Sequence, residues 1–397
     1  MADQFKKNQS KRTSTNIQFA LFNLHSSIFN SDQSGCRTLS RRTLVFMSSL
    51  FTRIALIGLL LAVQASGAAQ TVLQTPDRSW RKAVPEITWR NISPPFTDYR
   101  YYDHVDGLPF VYNSKTFNPI NAWWLAEAAT LVYADEEYVR ILFRKAGMNH
   151  VVFFNKDSTQ CFVASNDKFA LVVFRGSEIW KKKDKFDAAK VIADLMTDVD
   201  IRLVKWEQGG KVHRGFKNAL DEVWDDLATH IEKLHRQGLK IWFGGHSLGA
   251  ALATLAADRC PYAAGVYTIG SPRVGDRDFR DQYQVQAYRI VNNSDIVAKV
   301  PPKGIYRHVG EIRFIDEYGR VHDRMVPAKQ ENSQIKHEPR DNYESDEHFR
   351  DGLRGLVPDA FRDHVPLIYT IHLWNDLINH LHPMESTPST FFSVPCG

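Results

Sequence analysis

Cysteine is scarce in this chain of 397 residues, and the spacings that hold metals are missing. No C-x-x-C pair and no H-E-x-x-H run occurs, so neither a structural nor a catalytic metal has support, and no cofactor is expected. Three cysteines, Cys161, Cys260 and Cys396, follow residue 70. In an oxidising compartment they allow one disulfide with a thiol left over, in a pairing that cannot be read from their positions. There is no internal repeat.

A consistent excess of one charge is missing too. The formal balance is +5, from 50 Lys and Arg against 45 Asp and Glu. Residues 1–70 hold eight of the basic residues and two of the acidic ones, Asp3 and Asp32, which leaves 42 against 43 downstream. The basic excess therefore belongs to a leader and gives no reason to invoke nucleic acid. Within that leader the apolar core, residues 54–63, is short for a membrane span of about 20 residues. Small residues Ala65, Ser66, Gly67, Ala68 and Ala69 follow it, as a signal-peptidase site needs. Met47 would start a signal peptide of ordinary size, while Ser40-Arg41-Arg42-Thr43-Leu44-Val45 resembles a twin-arginine signal, and an uncleaved anchor is the third option. The preferred reading is an exported protein, secreted or periplasmic, cleaved near residues 67–70.

What remains, about 325 residues, suits one large α/β domain. Residues 71–116 are aromatic and proline-containing without clear period, and read as an N-terminal arm on the domain at 117–382. The spacing of Ala122, Leu125, Ala126, Ala129, Leu131 and Val132 predicts a helix from Asn118 to Lys145. Strand-like runs follow at 151–154, 160–164 and 169–174, then a long helix from Phe216 to Gln237 ended by Gly238. Further strands are expected at 239–243, 265–270 and 287–291, and a last helix from Pro366 to Leu381. Strands alternating with helices imply a mostly parallel central sheet with helices on both faces. Residues 325–357 read as a polar insert and 383–397 as a C-terminal tail.

The chemistry is announced by Gly245-His246-Ser247-Leu248-Gly249. An apolar run with β-branched and aromatic residues precedes it, and the helix-forming run Ala250 to Ala257 follows. Strand, sharp turn and helix in that order make a nucleophile elbow, in which a strained serine is exposed at the top of a sheet. A serine nucleophile needs a base, and the base an orienting carboxylate, in the chain order Ser, Asp or Glu, His. Asp295 follows the strand Ala287 to Val291, at the strand end where such groups gather. Asp276 and Asp278 are the fallbacks. For the base, His364 directly precedes the last helix, with Pro366 in that helix's first turn. His372 is the next choice; His308 falls in the strand-like run 306–310, His380 lies inside the last helix and His382 past its end. An oxyanion hole combines the Leu248 N–H with one from a strand-to-helix loop, for which the strand end Phe174-Arg175-Gly176-Ser177 is the natural source.

These residues resemble the fungal-type class 3 lipases. The resemblance rests on Phe174 to Ser177, Val212-His213-Arg214-Gly215-Phe216, Gly245 to Ala253, Ser271-Pro272-Arg273-Val274-Gly275 and Asn293-Ser294-Asp295-Ile296-Val297, in that order. It is strongest over 170–302. It implies an α/β-hydrolase fold and action on acylglycerols, with Ser247 the nucleophile, Asp295 the acid and Ser177 an oxyanion donor through backbone and hydroxyl. His364, in Asp363-His364-Val365-Pro366-Leu367-Ile368-Tyr369, resembles the family's D-H-x-x-x-x-Y ending, and His213 would be structural. The family's lid interval, before Asp194-Leu195, is longer and more basic here; its Ile179, Trp180 and Phe186 beside four lysines point to transient lipid-surface contact through residues 178–193. Phospholipase A or small-ester carboxylesterase activity is the alternative, and a non-catalytic lipid-binding protein on the same fold is the rival from another class.

Overall fold

Runs of β-branched and aromatic residues form the spine of the molecule. The computed structural model describes residues 78–88, 92, 94–176, 202–326, 357 and 359–382. The leader 1–70, Ser177, the segment 178–193, Asp194-Leu195, most of the insert 325–357 and the tail 383–397 lie outside the described residues. Three strands, β1 (His150–Asn155), β2 (Gln160–Ser165) and β3 (Phe169–Phe174), make an antiparallel meander. A short two-stranded ribbon, β4 (Leu203–Lys205) and β5 (Lys211–His213), stands apart. The main sheet continues with β6 (Lys240–His246), β7 (Ala263–Ile269), β8 (Ala287–Asn292), β9 (Glu311–Ile315) and β10 (Val321–His322). Its eight strands run in the order β1-β2-β3-β6-β7-β8-β9-β10, parallel from β3 through β9 and antiparallel at both edges. The strand-like run 306–310 is not a strand of the ladder: Gly310 turns at φ 78° and the strand opens only at Glu311, while Arg307 makes an isolated bridge to Gly275.

Period-two alternation sends the strand side chains into two cores. Leu171, Val173, Trp242, Tyr267, Ile269, Tyr288 and Ile290 meet one layer. That layer holds α1 (Pro119–Leu131) and α2 (Glu136–Lys145). On the opposite face Ala170, Val172, Phe174, Ile241, Phe243 and Val266 pack against α3 (Arg214–Arg236) and α4 (Leu248–Arg259). The short α5 (Arg277–Gln282) and α6 (Asp359–Arg362) lie in connections, and α7 (Pro366–Leu381) packs beside α1. Helices on both faces of a mostly parallel sheet, with a strand-turn-helix elbow at its centre, make this an α/β-hydrolase fold.

The helix expected over 118–145 is two helices. α1 is buried from Asn121 to Leu131 and carries no charged face, whereas α2 has acids in its first turn, bases in its last and only Val139 and Phe143 buried. The change from an all-round apolar helix to a one-sided one requires a new direction, which the extended Asp135 supplies. Tyr133 sits at that break.

The arm is anchored by polar clamps as well as apolar side chains. The Asn375 side chain accepts from the Lys82 N–H and donates to the Lys82 carbonyl, both at 2.8 Å. Lys82 Nζ donates to the Tyr99 hydroxyl at 3.0 Å, which donates to Glu127 Oε1 at 2.8 Å. Trp123 Nε1 donates to the same oxygen at 2.9 Å. Cys161 and Cys260 are both buried free thiols, so they are not partners in a disulfide.

Candidate active site

β6 ends at His246 and α4 begins at Leu248, so one residue must reverse the chain between them. Ser247 does so at φ 58° and ψ −128°, a region that L-residues seldom occupy. The surrounding glycines explain how strand and helix come so close. A Cβ on Gly245 would lie 2.4 Å from the Gly249 carbonyl oxygen, and a Cβ on Gly249 would lie 2.2 Å from that of Phe174. Such strain persists only where the rest of the fold imposes it, and it clusters at sites of function.

Three groups distant in sequence converge there. Ser247 Oγ lies 2.9 Å from His364 Nε2, and His364 Nδ1 lies 2.9 Å from Asp295 Oδ2. Each of the three residues is at most 4% exposed. Asp295 stands in the turn after β8, where its own N–H donates to the Asn292 carbonyl and its Oδ1 accepts the Val297 N–H at 2.8 Å. Because a carboxylate only accepts, the His364 proton resides on Nδ1 and leaves Nε2 free to accept from the serine hydroxyl.

His364 occupies the turn between α6 and α7, and Pro366 is the first residue of the helix behind it. Its neighbour Asp363 ties that turn to the Asp295 loop: Oδ2 accepts from Asn293 Nδ2 and the Ser294 N–H, both at 3.1 Å, and the Asp363 carbonyl accepts from Asn292 Nδ2 at 3.0 Å. Burial raises the Asp363 carboxyl above its usual range. Tyr369, one helical turn further on, donates to Asp295 Oδ2 at 2.6 Å and accepts the Asn292 N–H at 2.9 Å. Burial and the adjacent Asp295 charge hold its phenol well above the ordinary value.

The other sequence candidates are placed elsewhere. Asp276 caps α5, with Oδ1 accepting the Phe279 N–H at 2.9 Å and the Lys211 N–H at 3.1 Å; Asp278 is exposed on that helix. His308 donates from Nε2 to the Ala298 carbonyl at 2.8 Å, and burial holds it down to about 3. His372 packs on the turn at Gly319, and His380 is exposed beside Asp376. His213 caps α3 by accepting the Phe216 N–H at 3.3 Å, stacks on the Phe216 ring, and is lowered to about 4 by burial.

Of the oxyanion pair, Leu248 opens α4, so its N–H has no acceptor within the helix. Ser177 lies outside the described residues, but a Cβ on Gly176 would sit 3.3 Å from Ser247 Cβ, so the end of β3 lies against the serine. Sequence reasoning assigned no role to Tyr133, His246, Asp363 or Tyr369. Only Asp363 and Tyr369 had a signal, as the first and last residues of the D-H-x-x-x-x-Y run.

Residues 171–305 match the family model for lipase (class 3). The chain is similar to the toxin TseL of Vibrio cholerae, 32% identical over 190 residues that make up 38% of this chain and 29% of that protein. It is similar to the lipase of Rhizomucor miehei, 35% identical over 176 residues, 40% of this chain and 46% of the relative. It also resembles the chloroplastic phospholipase A(1) DAD1 of Arabidopsis thaliana, 38% identical over 97 residues, 22% of each chain. The chain thus spans less than half of the length of each of these relatives. The elbow and the Asp295 loop both lie within residues 171–305, the stretch that matches the class 3 lipase family.

Proposed function

We propose that this protein is a serine ester hydrolase acting on lipid esters, most directly as a triacylglycerol lipase. The observation that carries the reading is the line Ser247–His364–Asp295, with both hydrogen bonds at 2.9 Å, on a serine at positive φ. Ser247 Oγ attacks the ester carbonyl while His364 Nε2 takes its proton. The Leu248 N–H, with Ser177, holds the tetrahedral oxyanion. His364 then returns the proton to the leaving alcohol, and water releases the acid from the acyl-enzyme by the same steps in reverse. Asp295 keeps the proton of His364 on Nδ1 and stabilises the imidazolium. Export through the leader is part of the same proposal and would bring the enzyme to lipids outside the cell.

Phospholipase A activity is the second reading, favoured by the similarity to a plant phospholipase A(1). Initial rates on emulsified triacylglycerols of short and long chain, and on phospholipid vesicles, separate the two for protein starting near Gln70. Ser247→Ala is expected to lose at least about a thousandfold in kcat with the protein still folded. Equal rates in the variant and the parent would remove the serine mechanism.

A further inference from the structure

The base of the triad sits against a second histidine. His246, the last residue of β6, is buried, and its ring centroid lies 4.5 Å from that of His364. His246 Nε2 is 2.7 Å from the main-chain carbonyl oxygen of His364. A carbonyl can only accept, so Nε2 carries the proton and Nδ1 of the neutral ring is an acceptor. The Tyr133 hydroxyl, 3.1 Å away, donates to that Nδ1. The same hydroxyl accepts the Gly176 N–H, also at 3.1 Å. The two ends of the row therefore set the direction of every hydrogen in it: Gly176 N–H to Tyr133 O, Tyr133 O–H to His246 Nδ1, His246 Nε2–H to His364 C=O.

Burial and the adjacent His364 both disfavour a charge on His246, whose affinity for a proton falls well below the ordinary imidazole range. The groups facing it are Tyr133 from the break after α1, and His364 and Tyr369 from the start of α7. The Arg175 guanidinium lies over the far side of the Tyr133 ring, 5.5 Å from its centroid. A neutral His246 suits a neighbour that must itself become positive during catalysis.

We propose that Tyr133 and His246 are positioning residues, which hold the main chain of His364 and the end of β3 at Gly176 in register with Ser247 Oγ. The proposal rests on Ser247 and His364 acting as nucleophile and base. One end of the row is the base's own carbonyl; the other is the residue before Ser177. Displacement of a reacting group by about 1 Å costs on the order of a hundredfold in rate. The fit leaves little slack: a Cβ on Gly176 would lie 2.2 Å from the Tyr133 hydroxyl.

The test compares Tyr133→Phe, His246→Gln and His246→Leu with the parent protein. Labelling of Ser247 by a fluorophosphonate reads the register without assuming a substrate: the Oγ–P bond forms, fluoride leaves and the serine proton passes to His364. Hydrolysis of p-nitrophenyl butyrate, thermal melts and 15N spectra of histidine-labelled protein accompany it. Tyr133→Phe is expected to slow labelling and kcat by about tenfold to a hundredfold, with KM within about twofold and the melt lowered by roughly 2–8 °C because the buried Gly176 N–H loses its acceptor. The amide N–H of His246→Gln can reach the His364 carbonyl, so this variant is expected to keep more activity than His246→Leu. The spectrum is expected to show His246 as a neutral Nε2–H tautomer at about pH 6, alongside His213 and His308, with His246 the one of the three whose Nδ1 resonance moves in Tyr133→Phe. A Tyr133→Phe protein that labels within about twofold of the parent, or a charged His246 at that pH, overturns the proposal. A parent that labels but cleaves no ester ends the hydrolase reading, while the ratio of labelling rates still decides this one.

Discussion

Both carboxylate oxygens of Asp295 are occupied, Oδ1 by the Val297 N–H and Oδ2 by His364 and the Tyr369 hydroxyl. Tyr369 therefore does two things at once, since it also accepts the buried Asn292 N–H. Tyr369→Phe leaves that N–H unpaired, a penalty of about 1–3 kcal/mol, and frees one side of the carboxylate to rotate. Esterase kcat/KM is expected to fall roughly threefold to thirtyfold, with denaturant unfolding reporting the stability loss. A variant indistinguishable from the parent in both measurements would show that Val297 alone orients Asp295. At this scale the nucleophile was readable because its strain demands a fixed local pattern of glycines. The partners were readable only as positions past a strand and before a helix, which favoured Asp295 and His364 and left Asp276, Asp278 and His372 as fallbacks.

At the scale of elements, the site depends on a close approach of β3, β6 and α4. Gly249→Ala places a methyl 2.2 Å from the Phe174 carbonyl oxygen, which is main chain and cannot swing aside. The helix must move off the strand, and overpacking of this kind costs about 1–3 kcal/mol. Chemical denaturation is expected to read that loss, and fluorophosphonate labelling to slow along with it; unchanged stability would mean that α4 shifts freely. The helix break at 132–135 was missed because apolar residues continue at helical spacing through Leu131 and Val132. Only the burial of α1 on all sides against the one-sided face of α2 separates them. The same break brings the Tyr133 hydroxyl within 3.1 Å of His246 Nδ1, a contact with no local signature.

For the molecule as a whole, the arm and the domain meet at a buried acid. Glu127 is fully buried, and burial pushes it up to about 7 despite the nearby Lys82 and the Tyr99 and Trp123 donors. Burial also lowers Lys82, so desolvation outweighs attraction on both partners. The folded chain thus keeps a proton on Glu127 in a range where the unfolded chain has released it. The stabilisation is complete below the ordinary value of 4.5 and is lost as pH rises through about 7. The swing is on the order of 3 kcal/mol. Urea unfolding at pH values on either side of that window is expected to show the parent losing stability with rising pH relative to Glu127→Gln. Parallel curves for the two proteins would assign the window to another group.

Local order along the chain was enough to foretell β1 to β3 and β6 to β8 and the long helices around them, because alternation, helical spacing and turn residues act on neighbours. The elbow also belongs to that local physics, and so does the start of the last helix at Pro366. Asp295 and His364 could be preferred from their places past a strand and before a helix, but the 2.9 Å contacts along Ser247–His364–Asp295 came from folding, since β8 and α7 must first be set side by side. The hydrogen-bonded row from Gly176 through Tyr133 and His246 has the same origin. It joins four segments, from Tyr133 to His364, spread over more than two hundred residues of chain, and nothing in any one of them requires the others.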